Sequence, residues 1–347
     1  MKKKKPMPKW LKWEFWPYHI FYIPVYFLIA VHAIRARTLA YFTLANPGMR
    51  MGGFSSYSKY AILQQLEAQF LPKTILFESV PAVALLLSKM KEAEISFPVI
   101  LKPDEGERGW KVEKISNETE LIKYLSDPPQ KMLLQQYIDM PEEYGIMYYR
   151  FPYEKKGQIS SVMKRQFLMV TGDGQSTLLQ LFEQHDRCLY HIDRLTQKFK
   201  QELHTVLPAA QVKVLEEIGN HNRGTTFLDA QELISDELVQ VFDALSSSLE
   251  EFYFGRYDVR TPSYEEMLKG NLIVIEVNGA NSEPTHIYDP DMSLVKAYGD
   301  LYQHWNILFR ISMQNRKRGF KAASMKDLYR AIQSHLKEKR EHPNRIG

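Results

Sequence analysis

A chain of 347 residues with 44% hydrophobic and 25% charged residues holds enough apolar material for one large or two to three smaller domains, so disorder is not the default. Formal net charge is +4, and four of the positives are Lys2, Lys3, Lys4 and Lys5, so the near-neutral body gives no argument for nucleic acid as a partner. The single cysteine, Cys188, excludes an intramolecular disulfide and a multi-cysteine zinc site and fits a reducing compartment.

The amino terminus differs from the rest. Trp10, Trp13, Phe15 and Trp16 follow the lysines, and residues 15–34 carry no formal charge but include Pro17, His19, Pro24 and His32, with Arg35 and Arg37 beyond. The run has the length of a membrane span, yet its prolines, its histidines and the basic residues at both ends argue against a simple spanning helix. It is too long and aromatic for a signal peptide, and no small-residue cleavage site follows. Residues 1–37 read as a monotopic anchor in the cytoplasmic leaflet, bent at Pro17 and Pro24, with aromatic rings at headgroup depth and basic groups toward anionic lipid. The alternative is a buried amphipathic helix pair, which would make the protein simply cytoplasmic.

Globular patterning begins at residue 38. Residues 39–44 read as a strand, and Ser58 caps a helix to residue 69 on which Ile62, Leu63, Leu66 and Phe70 share a face. A strand is expected over residues 71–77. The segment Val99-Ile100-Leu101-Lys102-Pro103 is a buried strand that delivers a lysine, and the loop after it, with Gly106 and Gly109, suits backbone N–H donation to phosphate. Asn117 and Glu120 form a capping box, residues 131–138 make the next strand, and strands recur at 145–151 and 159–170. Helical patches occupy part of 183–230, ahead of a polar loop in which Arg223 is either a phosphate or carboxylate ligand or a surface group. Ser235 opens an amphipathic helix that ends at Gly255.

Two short strands follow, one holding Arg256 and Asp258 and the other Glu276 and Asn278, joined by a hairpin loop. Residues two apart on a strand share a face, so a carboxylate pair and an amide converge as hard-oxygen ligands for Mg²⁺ or Mn²⁺. The plain alternative is a surface hairpin with solvated charges. Residues 294–336 are helical, with Arg316, Lys317, Arg318 and Lys321 toward the end.

The order of strand, Lys102, glycine loop, further strand, Arg256-x-Asp258 and Glu276-x-Asn278 resembles the ATP-grasp superfamily, and the last two segments resemble the metal-binding part of D-alanine:D-alanine ligases. The resemblance spans residues 58–290. It implies an α/β (α+β) ATP-grasp domain over 97–292, a reduced preceding region over 38–96 and a helical region over 293–347. By the same resemblance Lys59 and Lys102 hold phosphates of ATP, Gly106 and Gly109 belong to the covering loop, and Gln135, Gln136, Tyr137 and Ile138 form the hinge that reads adenine. Glu142 or Glu143 takes the ribose, Arg256 steadies the transferred group, with Lys102 as its catalytic partner, and Asp258, Glu276 and Asn278 hold the metal. For Lys59 a solvated first-turn lysine is the competing reading, and His286 is either a general base or structural. Gln135 stands where the family usually has an acidic residue, and residues 280–290 differ from the D-alanine ligase pattern. The activity implied is ATP-dependent joining of a carboxylate, through an acyl phosphate, to an amine at the cytoplasmic membrane face, with amphiphilic or lipid-linked substrates. The alternatives are a grasp-type small-molecule kinase and a membrane-associated ATP-binding scaffold.

Overall fold

A computed structural model describes residues 8–55, 57–106, 109–219 and 221–341; the lysine cluster at residues 2–5 lies outside them. Eleven strands form three antiparallel sheets: β1 Thr74–Phe77, β2 Val99–Pro103, β3 Glu113–Ile115, β4 Met132–Gln136, β5 Glu142–Tyr149, β6 Gln158–Gln166, β7 Met169–Thr171, β8 Val212–Val214, β9 Thr226–Asp229, β10 Phe254–Thr261 and β11 Ile273–Asn278. The first sheet has the order β1-β4-β2-β3, the second β11-β10-β5-β6-β9, and β7 pairs with β8.

Strand alternation sets what each sheet face carries. In the first sheet Phe77, Val99, Leu101, Met132 and Leu134 pack on Leu86, Met90 and Leu121 of the helices Val83–Glu92 and Glu118–Tyr124. In the second, Tyr144, Ile146, Tyr148, Tyr257 and Val259 pack on Leu238, Phe242 and Leu245 of the helix Asp236–Ser247. Its opposite face is left to Glu143, Arg165, Arg256, Asp258, Arg260 and Glu276. The alternation that packs one face with apolar side chains therefore also gathers this polar set on the other, where Glu143, Asp258 and Arg260 are themselves buried.

Several expected elements differ. Residues 41–44 form a short 3-10 turn instead of a strand, and all four side chains are buried, whereas a strand would alternate. The helix capped by Ser58 covers only Lys59–Leu63, and a separate 3-10 turn at Ala68–Phe70 serves the remaining apolar positions. A helix at Tyr264–Leu268, capped by Ser263, interrupts the expected hairpin loop between β10 and β11. The capping box at residues 117–120 forms in part: Asn117 accepts from the Glu120 N–H at 3.0 Å, and Glu120 reaches back to the Ser116 N–H at 2.7 Å.

No helix of the described residues is long and apolar enough to cross a membrane. The amino-terminal run forms the helices Tyr18–Phe21 and Ile23–Ala36, with Pro17 before the first and Pro24 in the opening turn of the second, where a missing N–H costs nothing. The prolines start helices; they do not bend one. Phe21, Tyr22, Val25, Ala33 and Ala36 are buried at 5% exposure or less, packed with residues of the helix Leu294–Lys317. Residues expected to lie wholly in lipid thus spend half their surface on the protein. The other half is bare: Ile20, Ile23, Phe27, Val31 and Ile34 are exposed along one stripe at helical spacing.

Candidate active site

Cross-strand register assembles the centre. Asp258 of β10 lies opposite Glu276 of β11 on one side and Gly145 of β5 on the other, Arg256 lies opposite Asn278, and Arg260 opposite Glu143. Gly145 leaves room there: a Cβ would come within 2.9 Å of Met163 Cε, 3.3 Å of Arg256 Cδ and 3.4 Å of Asp258 Oδ1, so a side chain would crowd the pair. A glycine inside a strand is the sequence signal for such close approach.

Arginines answer the buried carboxylates. Arg256 Nε donates to Asp258 Oδ1 at 2.8 Å, and Arg165 Nη2 donates to Asp258 Oδ2 at 3.0 Å. Burial would raise the Asp258 pKa, but Arg256 and Arg165 outweigh it and hold the carboxyl below its usual range. Glu143 is paired with Arg165 through Nη1 and with Arg260 Nε at 3.0 Å. Glu142, pointing to the other face, pairs with Lys164 at 2.5 Å. Of the two ribose candidates, Glu143 is therefore the one beside Asp258.

Two lysines meet this face, Lys102 from the first sheet and Lys59 from the helix Lys59–Leu63. Lys102 Nζ donates to Gln135 Oε1 at 2.9 Å and to the Ile275 carbonyl at 3.2 Å, next to Glu276. Burial pushes the Lys102 ammonium down to about 8, against the pull of Glu276. Lys59 Nζ donates to the Gly106 carbonyl and lies 3.6 Å from Glu276 Oε1, so it is not a solvated first-turn lysine. Gly109 adopts φ +73°, the left-handed region that a side chain resists.

The hinge residues are largely engaged within the protein. Gln135 joins Lys102 to the Thr74 hydroxyl, the Gln136 N–H pairs with the Lys73 carbonyl, and the Ile138 carbonyl accepts from Arg260 Nη1 at 2.6 Å. Tyr137 lies under the Lys114 ammonium and near the Arg260 guanidinium. Arg223 reaches the Val112 carbonyl at 3.4 Å and lies 3.8 Å from Glu216, apart from the carboxylate centre. His286 is buried between Ser161, 2.6 Å from Nδ1, and Asp300, 2.9 Å from Nε2.

One residue the sequence reading missed is Asp104, fully buried two positions after Lys102. Its Oδ1 accepts from the Ser58 hydroxyl at 3.0 Å and the Tyr60 N–H at 2.9 Å, and Oδ2 is 3.2 Å from Lys131 Nζ. It fastens the turn that carries Lys59 to the strand that carries Lys102. The only signal was an acidic residue beside a phosphate-type loop, which base rates assign to solvent.

Asp258, Glu276 and Asn278 put hard oxygen atoms on one patch, the donor type a Mg²⁺ takes, but both Asp258 oxygens accept from arginine, so a cation there would need Arg256 or Arg165 to release one. No compact group of three His, Cys, Asp or Glu side chains occurs among the described residues. Asn278 accepts from the Tyr57 hydroxyl at 3.1 Å while its buried Nδ2 has no partner, so the amide is underused as it stands.

No protein-family model and no curated protein matches the chain. Among solved structures, a bifunctional glutathione synthetase from Pasteurella multocida aligns over 73% of this chain and 38% of its own, at 16% identity and TM-score 0.36. The D-alanine–D-alanine ligase from Bacillus anthracis complexed with ATP aligns over 76% of this chain and 67% of its own, at 14% identity and TM-score 0.42. A second structure of that ligase gives 78%, 72%, 15% and 0.45. The chain thus spans well under half the length of the synthetase and about two thirds or a little more of the ligase. Likeness of this size decides nothing about activity, which has to be argued from the residues themselves.

Proposed function

We propose that this chain is an ATP-grasp-type ligase that joins a carboxylate to an amine, releasing ADP and orthophosphate. The observation that carries the reading is the convergence on one strand: Lys102 of the first sheet and Lys59 of the helix Lys59–Leu63 reach the strand of Glu276, beside Asp258 and Arg256. Phosphate-type cations and metal-type oxygens meet there, and a triphosphate would open a gap between them.

In this reading Lys102, Lys59 and the Gly106–Gly109 loop hold the phosphates, and Glu143 receives the ribose once Arg165 or Arg260 yields it. Asp258, Glu276 and Asn278 would hold Mg²⁺, which when bound supplies charge neutralisation along the triphosphate. An oxygen of the acid substrate attacks the γ-phosphorus, the bond to the β-bridging oxygen breaks, and ADP leaves. Arg256 offers the guanidinium nearest Asp258 to the phosphoryl group in transfer. The amine nitrogen then bonds to the acyl carbon, the carbon–oxygen bond to phosphate breaks, and phosphate departs.

Location is a second part of the proposal. The bare stripe of Ile20, Ile23, Phe27, Val31 and Ile34 is flanked by exposed Lys9, Arg35 and Arg37, which complements an anionic lipid surface. The protein would dock peripherally by this stripe, with the packed side of the same helix serving the core. The acceptor or the acid would then be amphiphilic.

The test of the ligase reading is product analysis with ATP, Mg²⁺ and a panel of amino acids, dipeptides and medium-chain fatty acids, with hydroxylamine as trap. ADP, orthophosphate and hydroxamate are expected together. AMP with pyrophosphate would overturn it, and a stable phosphorylated product would transfer the protein to the kinases.

A further inference from the structure

Most carboxylates around the centre are answered by a cation, and Glu283 is not. Asp258 has Arg165 and Arg256, Glu143 has Arg165 and Arg260, Glu276 has Lys59, Glu142 has Lys164, and Asp300 has Lys296 with His286. Glu283 is half-buried and forms no ion pair among the described residues. Its Oε1 accepts from the Tyr22 hydroxyl and its Oε2 from the Tyr288 hydroxyl at 3.3 Å, both neutral donors. Burial, and then Glu283 itself, raises the Tyr22 pKa well above the ordinary tyrosine value, so Tyr22 remains a neutral donor.

Its position makes this negative charge useful. The Glu283 backbone carbonyl accepts from Arg256 Nη1 at 3.3 Å, and Arg256 in turn grips Asp258. The uncompensated carboxylate therefore sits within one residue's reach of the phosphoryl-steadying guanidinium, on the segment that follows the metal-type strand. Two phenol rings flank it, with Phe21 and Trp13 behind them at ring separations of 6.0 Å. A carboxylate held only by neutral hydroxyl donors favours a cation over a neutral or anionic group. A carboxylate drawn partly out of water without a cation is costly, and a positive ligand removes that cost.

We propose that Glu283, with Tyr22 and Tyr288, is the receiving site for the positively charged ammonium group of a primary-amine substrate. That the ligand is the second substrate rests on the ligase reading; that it is a cation does not. The amine enters as R–NH₃⁺ and passes one proton to the Glu283 carboxylate. The freed nitrogen pair then forms the amide bond as phosphate leaves with the electrons of the broken carbon–oxygen bond, and the departing phosphate takes the second nitrogen proton. Tyr22 belongs to the same amino-terminal segment as the bare stripe, so the segment that would meet lipid also helps select the amine.

Calorimetric titration of the full chain with hexylammonium chloride and with hexanol tests the proposal. The protein is expected to prefer the ammonium by about tenfold, the scale of one charge-assisted contact. Glu283→Gln should erase the preference at a modest cost in melting temperature, because one bond from a tyrosine hydroxyl to a charged acceptor is weakened. Glu283→Asp should keep part of the preference, and this carries the comparison if the Gln variant folds poorly. Equal affinity of the unaltered chain for the two probes, or a preference that survives in Glu283→Gln, overturns the site. Titration with ATP and Mg²⁺ reports the other reading separately: absence of nucleotide binding removes the ligase assignment, while the cation site still stands or falls on the hexylammonium comparison.

Discussion

Replacing Asp104 by alanine would remove the fastening between the two nucleotide-facing lysines. Oδ1 would lose its bonds from the Ser58 hydroxyl and the Tyr60 N–H, and each hydrogen bond to a charged group contributes about 1.5–3 kcal/mol. The pairing with Lys131 adds little, because that lysine is one-third exposed and keeps Glu78 at 3.2 Å. The expected loss of stability is therefore about 3–4 kcal/mol. Asp104→Asn keeps the Oδ1 acceptor and should lose only about 1–2 kcal/mol. Because Lys59 follows the cap at Ser58, its ammonium leaves the Gly106 carbonyl in the alanine variant, and ATP affinity should fall about tenfold, the scale of one charge-assisted contact. Urea denaturation gives the first quantity, and calorimetric ATP titration well below the unfolding midpoint gives the second. Equal losses for the two substitutions, or a loss in Asp104→Ala below about 1 kcal/mol, would refute the reasoning, since the buried acceptor would then not be what holds the turn.

Asp258→Asn and Glu276→Gln should each abolish ligation, measured as ADP release, but they should separate in stability. Asp258 is 5% exposed between two arginines, and its loss should cost about 2–4 kcal/mol, whereas Glu276, 26% exposed, should cost under about 1 kcal/mol. Lys102 is charged below about 8 and neutral above, so ATP affinity should fall as pH rises through 8, and a flat profile would contradict the assignment. Its folded pKa lies below the ordinary lysine value of 10.5, so the folded state binds fewer protons between those values and stability of the free protein should rise with pH there; Lys102→Met should remove both trends. Phe27→Glu with Ile34→Glu should prevent flotation with anionic vesicles at unchanged melting temperature, while Val25→Glu, on the buried side, should destabilise by about 3 kcal/mol or more. Unchanged flotation of the first variant would remove the lipid-docking proposal.

The parts legible in the sequence are those whose signal is local. Arg256-x-Asp258 and Glu276-x-Asn278 sit on neighbouring strands because alternation fixes the face, and Lys102 ends beside them for the same reason. Arg165 and Arg260 were not legible as partners of Glu143 and Asp258: they belong to strands whose pairing comes from the register of the whole sheet. The alternative of a surface hairpin with solvated charges does not hold at Asp258, since two guanidinium groups close over it. The amino-terminal helix showed its unusual composition at once, but its division into a packed and a bare side depends on a helix some 270 residues later, with Asn315 donating to the Leu44 carbonyl across a separation of 271.

That same pairing has a consequence for synthesis. Arg316 donates to the Ala36 carbonyl across a separation of 280 residues, so the contacts of the first long helix with Leu294–Lys317 wait until those later residues have emerged. At roughly 5–20 residues per second, Phe21, Tyr22, Val25, Ala33 and Ala36 wait on the order of 15 to 55 s for that partner. During that interval the nascent chain presents more apolar surface than the bare stripe alone, the kind of surface that a chaperone or a bilayer captures. Whatever shields it must release the inner side when Leu301, Ile307 and Leu308 arrive, and a lipid surface could do so while keeping the outer one.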